Sequence, residues 1–309
     1  MQFNSQITDS KKLNQETSKY KVGLIYGFSA YILWGLFPLY WPLLKPATAQ
    51  EIVSHRAIWT SIFCILILAF QRQLRQTFKL MFTKRVFLRL ALASALVSTN
   101  WLVYIWATNN GHVVEAALGY YINPLIIIAF GVVLLKEKLR KIQWIAVGLG
   151  AIGVLVLTFD YGRLPWIALT LAVSWGSYGL IKKQLNLGAV EGLAIETMIA
   201  FLPYVGFILY LASKGEGQWG SSWKLTILLT AAGAITAIPL LLFNGSATRL
   251  PYSTIGLLQY ITPTLQFSIG VWVNHESMPA ARWIGFVIIW GALVALGTDL
   301  IKDSRSQSI

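Results

Sequence analysis

The sequence predicts an all-α polytopic membrane protein: ten transmembrane helices in two inverted five-helix repeats, with both termini in the cytoplasm. Three observations carry that prediction. The 309 residues are 56% apolar and 12% charged, at a mean hydropathy of +0.62, whereas a soluble domain carries about 25% charged residues. The charges are bunched between long apolar runs. The chain also repeats itself, because Trp144 and Trp283 lie 139 residues apart and their surroundings match in one ungapped register. In that register Tyr121, Ile122, Pro124, Gly131, Val132 and Glu137 recur as Tyr260, Ile261, Pro263, Gly270, Val271 and Glu276. Apolar sequences coincide by chance at Leu and Ile, but not at a Pro, a Gly, a Glu and a Trp together. With a small slip, Trp34-Gly35 recurs as Trp175-Gly176 and Glu51 as Glu191.

A bilayer takes about 20 mostly apolar residues per helix. Residues 1–20 are polar and mixed in charge, lacking the apolar core of a secretory signal, and read as a cytoplasmic tail. Spans near 21–41, 51–70, 87–108, 113–135 and 142–159 make a first unit over 21–160. Spans near 163–184, 191–213, 223–243, 251–273 and 280–300 make a second over 161–302, and 303–309 form a short tail. The first span opens on a Gly23-xxx-Gly27 face, and Ala146-xxx-Gly150 and Gly291-xxx-Ala295 repeat that small-residue spacing, which favours close helix contact. The second carries the chain's one cysteine, Cys64, read as a small buried hydrophobe. Asn109-Asn110-Gly111-His112 separates the third span from the fourth as a turn signal. Pro124 and Pro263 stand mid-span at equivalent positions; each removes a backbone N–H and predicts a helix kink. Trp41, Trp144 and Trp283, near span ends, read as interfacial belt.

Orientation follows from the cations. With the N-terminus inside, nineteen Lys and Arg fall on the inner side and six on the outer: Lys45, Arg56, Arg163, Lys214, Lys224 and Arg282. That asymmetry places both termini in the cytoplasm, and it accounts for the net charge of +13 without any nucleic-acid partner. Five spans per copy is odd, so the copies lie inverted, an architecture of secondary transporters with the substrate site between the halves.

Ionisable groups inside spans cost about 2.5–3.5 kcal/mol at a helix centre. Those present are His55, Arg56, Glu115 and Glu196, with Arg249 at an inner span end. Each lies within a turn or two of a span end, so snorkelling is the competing reading. Depth pairs Arg56 with Glu115 outside and Glu196 with Arg249 inside, as alternating latches for gating or proton coupling. Helical spacing supplies cavity candidates: Asn100 and Tyr104 with Trp101 adjacent, the stripe Glu115, Gly119, Asn123, and the stripe Gln259, Thr262, Gln266. Trp34, Tyr120, Tyr121, Trp175 and Tyr260 join them as aromatic lining. The competing reading of each is an interhelical hydrogen bond that only holds the bundle.

There is no phosphate-binding Gly-x-x-x-x-Gly-Lys-Ser/Thr loop, and three His with one Cys make no metal-ligand cluster. No cofactor, metal or enzymatic motif is expected. A gradient is left as driving force, with the proton as candidate coupling ion.

Several segments resemble the RarD-type transporters, of the EamA family in the drug/metabolite transporter superfamily. They include Tyr31-x-x-Trp34-Gly35-x-x-Pro38, Glu51-x-x-x-His55-Arg56-x-x-Trp59, Asn100-Trp101-x-x-Tyr104-x-Trp106-Ala107 and Leu118-Gly119-Tyr120-Tyr121-Ile122-Asn123-Pro124. The second half adds Tyr178 to Lys183, Glu196-Thr197, Pro239-Leu240-Leu241 and Gln259-Tyr260-Ile261-x-Pro263-Thr264. The chain departs in Ala117 for the family's usual Ser and in Tyr121 for its usual Phe. The resemblance implies ten spans in two EamA-like units, a plasma-membrane location and export of small molecules. The expectation is an inner-membrane secondary transporter exporting a small metabolite or drug-like compound by alternating access around a midplane cavity. The competing class is a membrane scaffold or interaction protein without transport activity, and the oligomeric state is left open.

Overall fold

Among the described residues every regular element is a helix, as apolar runs require when each backbone N–H and C=O must be satisfied within its own segment. The structure, a computed structural model, describes residues 2–136, 139–185, 187–250 and 252–306. Helix α1 (Gln2–Gly35) carries the polar tail and the first apolar run without a break. It stops before Pro38, whose missing N–H suits the first turn of a new helix. There α2 (Phe37–Tyr40) and a 3-10 turn, Trp41–Leu44, start a segment bent by 41° from α1. Helix α3 (Ala49–Phe70) is capped by Thr48, whose hydroxyl accepts from the Glu51 N–H at 3.2 Å. The short α4 (Leu74–Met81) leads to α5 (Lys84–Asn109), and the predicted turn falls where Gly111, at φ +74°, reverses the chain into α6 (Val113–Leu135). Then come α7 (Lys141–Tyr161), α8 (Trp166–Leu185), α9 (Ala189–Lys214), α10 (Trp223–Ala247), α11 (Tyr252–Leu258), α12 (Ile261–Ser268), a π-helical turn Ile269–Val273, and α13 (Ala280–Ser306).

The chain is thus an all-α polytopic membrane protein. Seven helices, α3, α5, α6, α7, α9, α10 and α13, are by themselves long and apolar enough to cross a membrane, or eight if the bent pair at Gly35 is one span. The expected span at 163–184 is helical as α8, but Ser174, Ser177, Lys182 and Lys183 interrupt its apolar run. The expected span at 251–273 is broken in two. Its break lies at Gln259-Tyr260, one turn before Pro263, whose ring would meet the Gln259 carbonyl in a continuous helix. Pro124, its counterpart, stays inside an unbroken α6.

Helix contacts run across the two halves. α3 packs on α9, α7 on α13 and α6 on α12; α1 packs on α10 and α8 on α5; α3 meets α10 and α5 meets α9; α6 lies on α8 and α1 on α12. The larger apolar core joins the 3-10 turn to α3, α5, α9 and α10 around Trp41, Ile52 and Ile105, and a second joins α6, α8, α12 and α13 around Leu118 and Phe286. Two of the small-residue faces serve close contact, Gly23 and Gly27 against Leu250, Ser246 and Leu258, and Gly150 against Leu125. The third does not, because nothing lies within 4 Å of a Cβ at Gly291. α13 instead meets α7 through Gly285 on Leu157 and Ile289 on Gly153, a face turned away from Gly291. Glu137 of the repeat lies outside the described residues. Its counterpart Glu276 accepts from the N–H groups of Val113 and Val114 at 2.6 and 3.0 Å, capping α6.

α10 crosses α3 with a glycine set directly against backbone. A Cβ at Gly233 would come within 2.7 Å of the Trp59 and Thr60 backbone, which cannot swing aside as a side chain could. Gly233→Val is therefore expected to cost about 1–3 kcal/mol or more, read as a lower midpoint of thermal unfolding in detergent. Gly291→Val, with nothing opposite it, is expected to leave that midpoint within a degree or two.

Candidate functional site

Three clusters of polar groups stand out, and two of them grip the ends of α8. At its start, Glu115 of α6 is 1% exposed and accepts from both terminal nitrogens of Arg163 at 2.7 and 3.2 Å and from the Ile167 N–H at 3.2 Å. At its end, Glu196 of α9, also 1% exposed, accepts from Lys182 Nζ at 2.7 Å and from the Tyr178 hydroxyl at 3.1 Å. Tyr178 and Lys182 are one turn apart on α8, so one carboxylate meets both. Midway, the Asn100 amide donates to the Leu171 carbonyl and the Ser174 hydroxyl, both at 3.0 Å, and its oxygen accepts from the Tyr120 hydroxyl at 3.3 Å.

The expected latches are corrected accordingly. Arg56 does not reach Glu115, and Arg249 does not reach Glu196. Arg249 is exposed, donates to the Gly245 carbonyl at 2.8 Å and lies 5.5 Å from the Tyr26 ring centroid. Arg163 falls on the outer side with Glu115, and Lys182 on the inner side with Glu196, so each pair agrees with the expected depths. What spacing within one helix could not reveal is that α8 supplies both cations.

The third cluster surrounds Arg56. Its Nε donates to the Thr236 hydroxyl of α10 at 2.8 Å, and its guanidinium carbon lies 4.0, 4.9 and 5.5 Å from the ring centroids of Trp101, Trp41 and Phe37. Sequence depth put Arg56 near the surface, within snorkelling reach. It is 4% exposed because the bend after Gly35 folds Trp41 against it. Trp41, read as interfacial belt, is fully buried for the same reason. Trp144, at 57% exposed, keeps the belt reading.

The other candidates fall into place around these clusters. His55 is buried, stacked on Trp219 at 6.1 Å with neither ring nitrogen hydrogen-bonded. Trp219 is held there by Glu51, which accepts from the Gln218 and Trp219 N–H groups at 2.6 and 3.3 Å. The stripe Glu115, Gly119, Asn123 faces α8, since a Cβ on Gly119 would meet Ala168 and Leu171 and Asn123 lies against Gly176. The other stripe is cut at Gln259. Thr262 and Gln266 turn to α1, donating to the Tyr31 and Trp34 carbonyls at 2.8 and 3.2 Å. Tyr121 points away from Arg56, sharing a hydrogen bond of 2.9 Å with Thr264 and packing on Phe286 and Trp290. Tyr260 belongs to that same apolar cluster. Trp34 packs on Tyr31 and Phe243, and Trp175 on Tyr178 at 5.3 Å. Tyr104, buried beside Tyr120, has an unpartnered hydroxyl. Sequence reasoning missed Arg163, Tyr178, Lys182 and Thr236. The one available signal was the i, i+4 pair Tyr178 and Lys182 on a span opposite Glu196.

The profile of the EamA-like transporter family matches the chain twice, over residues 21–159 and 164–298. The chain is 49% identical to "Protein RarD" of Streptomyces exfoliatus, over 92% of this chain and 91% of that protein. It is 42% identical to "Uncharacterized transporter YojE" of Bacillus subtilis, over 93% and 97%, and 40% identical to "Protein RarD" of Escherichia coli, over the same shares. A crystal structure covering 88% of this chain and 96% of its own superposes with a TM-score of 0.55 at 18% identity, a likeness of fold alone.

Proposed function

The chain belongs to the EamA-like transporter family, and from that premise we propose a secondary transporter that works by alternating access, its two halves inverted in the cell inner membrane. That it is a membrane transporter and not an enzyme follows from the family. The remainder is our reading.

The observation that carries it is the exchangeability of the packing. Swap the halves, so that α1 stands for α8, α3 for α9, α5 for α10, α6 for α11–α12 and α7 for α13. Each principal contact then maps onto another: α1–α10 onto α8–α5, α3–α10 onto α9–α5, α6–α8 onto α12–α1, while α3–α9, α7–α13 and α6–α12 map onto themselves. A pseudo-two-fold axis has that property. Combined with an odd five spans per half and the cation asymmetry, it supports inversion. Ten spans result if α8 crosses despite its polar residues and α11–α12 crosses as a broken helix.

In this reading the two grips on α8 are the gates. Glu115 with Arg163 closes the outer face and Glu196 with Lys182 the inner face. Release of one allows α8 to rock against α5 and α6 about its midpoint at Asn100. Glu196, in contact with a cation and a phenol, is the candidate proton-coupling group. The cavity lies between the grips, among Asn100, Trp101, Tyr104, Tyr120 and Asn123, and its contents leave the cell.

Proteoliposomes of the full chain, loaded with a mixed pool of small metabolites, test the reading. Time-dependent release above that from protein-free vesicles, lost in Glu196→Gln, is the expected result. Release no faster than from empty vesicles for every solute would favour a scaffold.

A further inference from the structure

Arg56 is a buried cation that pairs with no carboxylate among the described residues. Among the described residues the ion pairs are Arg163–Glu115, Lys182–Glu196 and Arg282–Asp160, and Arg56 is in none. Its Nε is occupied by Thr236, while its two terminal nitrogens have no acceptor among the described side chains and carbonyls. Burying a cation without a counter-charge is expensive, and the three surrounding rings offset only part of that cost through their π faces. A transporter that keeps such a charge between its helices has a use for it.

We propose that Arg56 is the anchor of an anion site, and that the anion is a monocarboxylate with an apolar body. This rests on the transporter reading and names the class of its substrate. A guanidinium presents two parallel N–H donors that match the two oxygens of one carboxylate. One cation balances one negative charge, so a doubly charged phosphate ester would enter with a charge unmatched. The walls set the rest of the ligand. Trp41 and Trp101 are aromatic faces that reward an apolar body over a bare halide. Two further donors are buried without acceptors, the Tyr104 hydroxyl and Trp41 Nε1. Tyr40, Tyr104, Tyr120 and Tyr204 lie close enough to interact with the Arg56 charge. Among the described residues no carboxylate pairs with Arg56 or is placed there to receive a cationic ligand.

A way in exists. A cleft of about 360 Å³ runs between α3, α5 and α9, lined by Val53, Ser54, Ser98, Leu102 and Tyr204 among others. Val53, on the cleft, is three residues from Arg56 and so on its side of α3.

The test is equilibrium binding of radiolabelled benzoate to the full chain in lipid nanodiscs, without any gradient. Benzamide, of the same shape but neutral, and chloride serve as competitors. The expected result is saturable benzoate binding, with benzamide at least about tenfold weaker, Arg56→Gln weakened about tenfold or more, and Arg56→Lys intermediate because it keeps the charge and loses the fork. Benzoate and benzamide competing equally, unchanged binding in Arg56→Gln, full displacement by chloride at equal concentration, or no saturable binding would each overturn it. The benzoate and benzamide comparison uses the wild-type chain, so misfolding of a variant does not remove the test. A chain that binds benzoate but moves no solute refutes the transport reading and leaves this site standing. A chain that exchanges only neutral or cationic solutes does the reverse.

Discussion

Glu196→Gln is expected to abolish solute exchange and to lower thermal stability, with the two effects separable. Glu196 is 1% exposed and holds Lys182 at 2.7 Å, while the Lys182 side chain is 21% exposed. Removing one member of a buried ion pair costs about 3–5 kcal/mol, and the lower end applies because Lys182 retains some contact with water. Gln still accepts from Tyr178, so the loss is of charge more than of shape. Adding Lys182→Met removes the stranded cation, and the double variant is expected to recover most of the unfolding midpoint in detergent. It is not expected to recover exchange, because the carboxyl proposed to carry the coupling proton is still missing. Recovery of both would make the pair a brace with no part in coupling.

Glu115→Gln is expected to leave stability within about 1 kcal/mol of wild type while reducing exchange severalfold. Arg163 is 38% exposed and can turn into water, and a Gln oxygen can still accept from the Ile167 N–H that fixes the start of α8. What is lost is the charged pair proposed to close that end. Shifting an equilibrium between two states by 1–3 kcal/mol alters the population by about 5- to 150-fold, so a modest local change can have a large effect on turnover. Initial rates in proteoliposomes, set beside unfolding curves for the same preparation, separate the two quantities. A fall in rate that tracked a fall in stability would argue against a gating role.

Much of this architecture was legible in the sequence because it rests on local signals. Apolar runs gave nearly every helix to within a few residues, the Asn109 to His112 turn fell where Gly111 takes a positive φ, and Cys64 proved buried. The misread features depend on distant parts of the chain. Pro124 and Pro263 occupy equivalent positions, yet only the second breaks its helix, and nothing within either span distinguishes them. Arg56 reads as an outer latch near the membrane surface and Trp41 as interfacial belt, because each is near a span end. The bend at Gly35 that brings them together is a tertiary feature, although Pro38 and Pro42 hinted at it. The acids stand out in the sequence and their partners do not, since Arg163 looks like loop charge and Lys182 like an inner-side cation. A cation near a span end carries two meanings, orientation and pairing, and charge counting reads only the first.

Alternating access is tested most directly by the accessibility of one proposed cavity position from the two sides of the membrane. Tyr120, half-buried between Arg56 and Asn100, can be replaced by Cys in a Cys64→Ala background, since Cys64 is the only natural cysteine and is buried. A membrane-impermeant maleimide is then applied from outside to intact cells and from the cytoplasmic side to inverted vesicles. If α8 is gated at both ends, Glu196→Gln raises labelling from the cytoplasmic side and lowers it from outside, and Glu115→Gln does the opposite. Labelling that moves in the same direction in both variants, or in neither, would contradict alternating access.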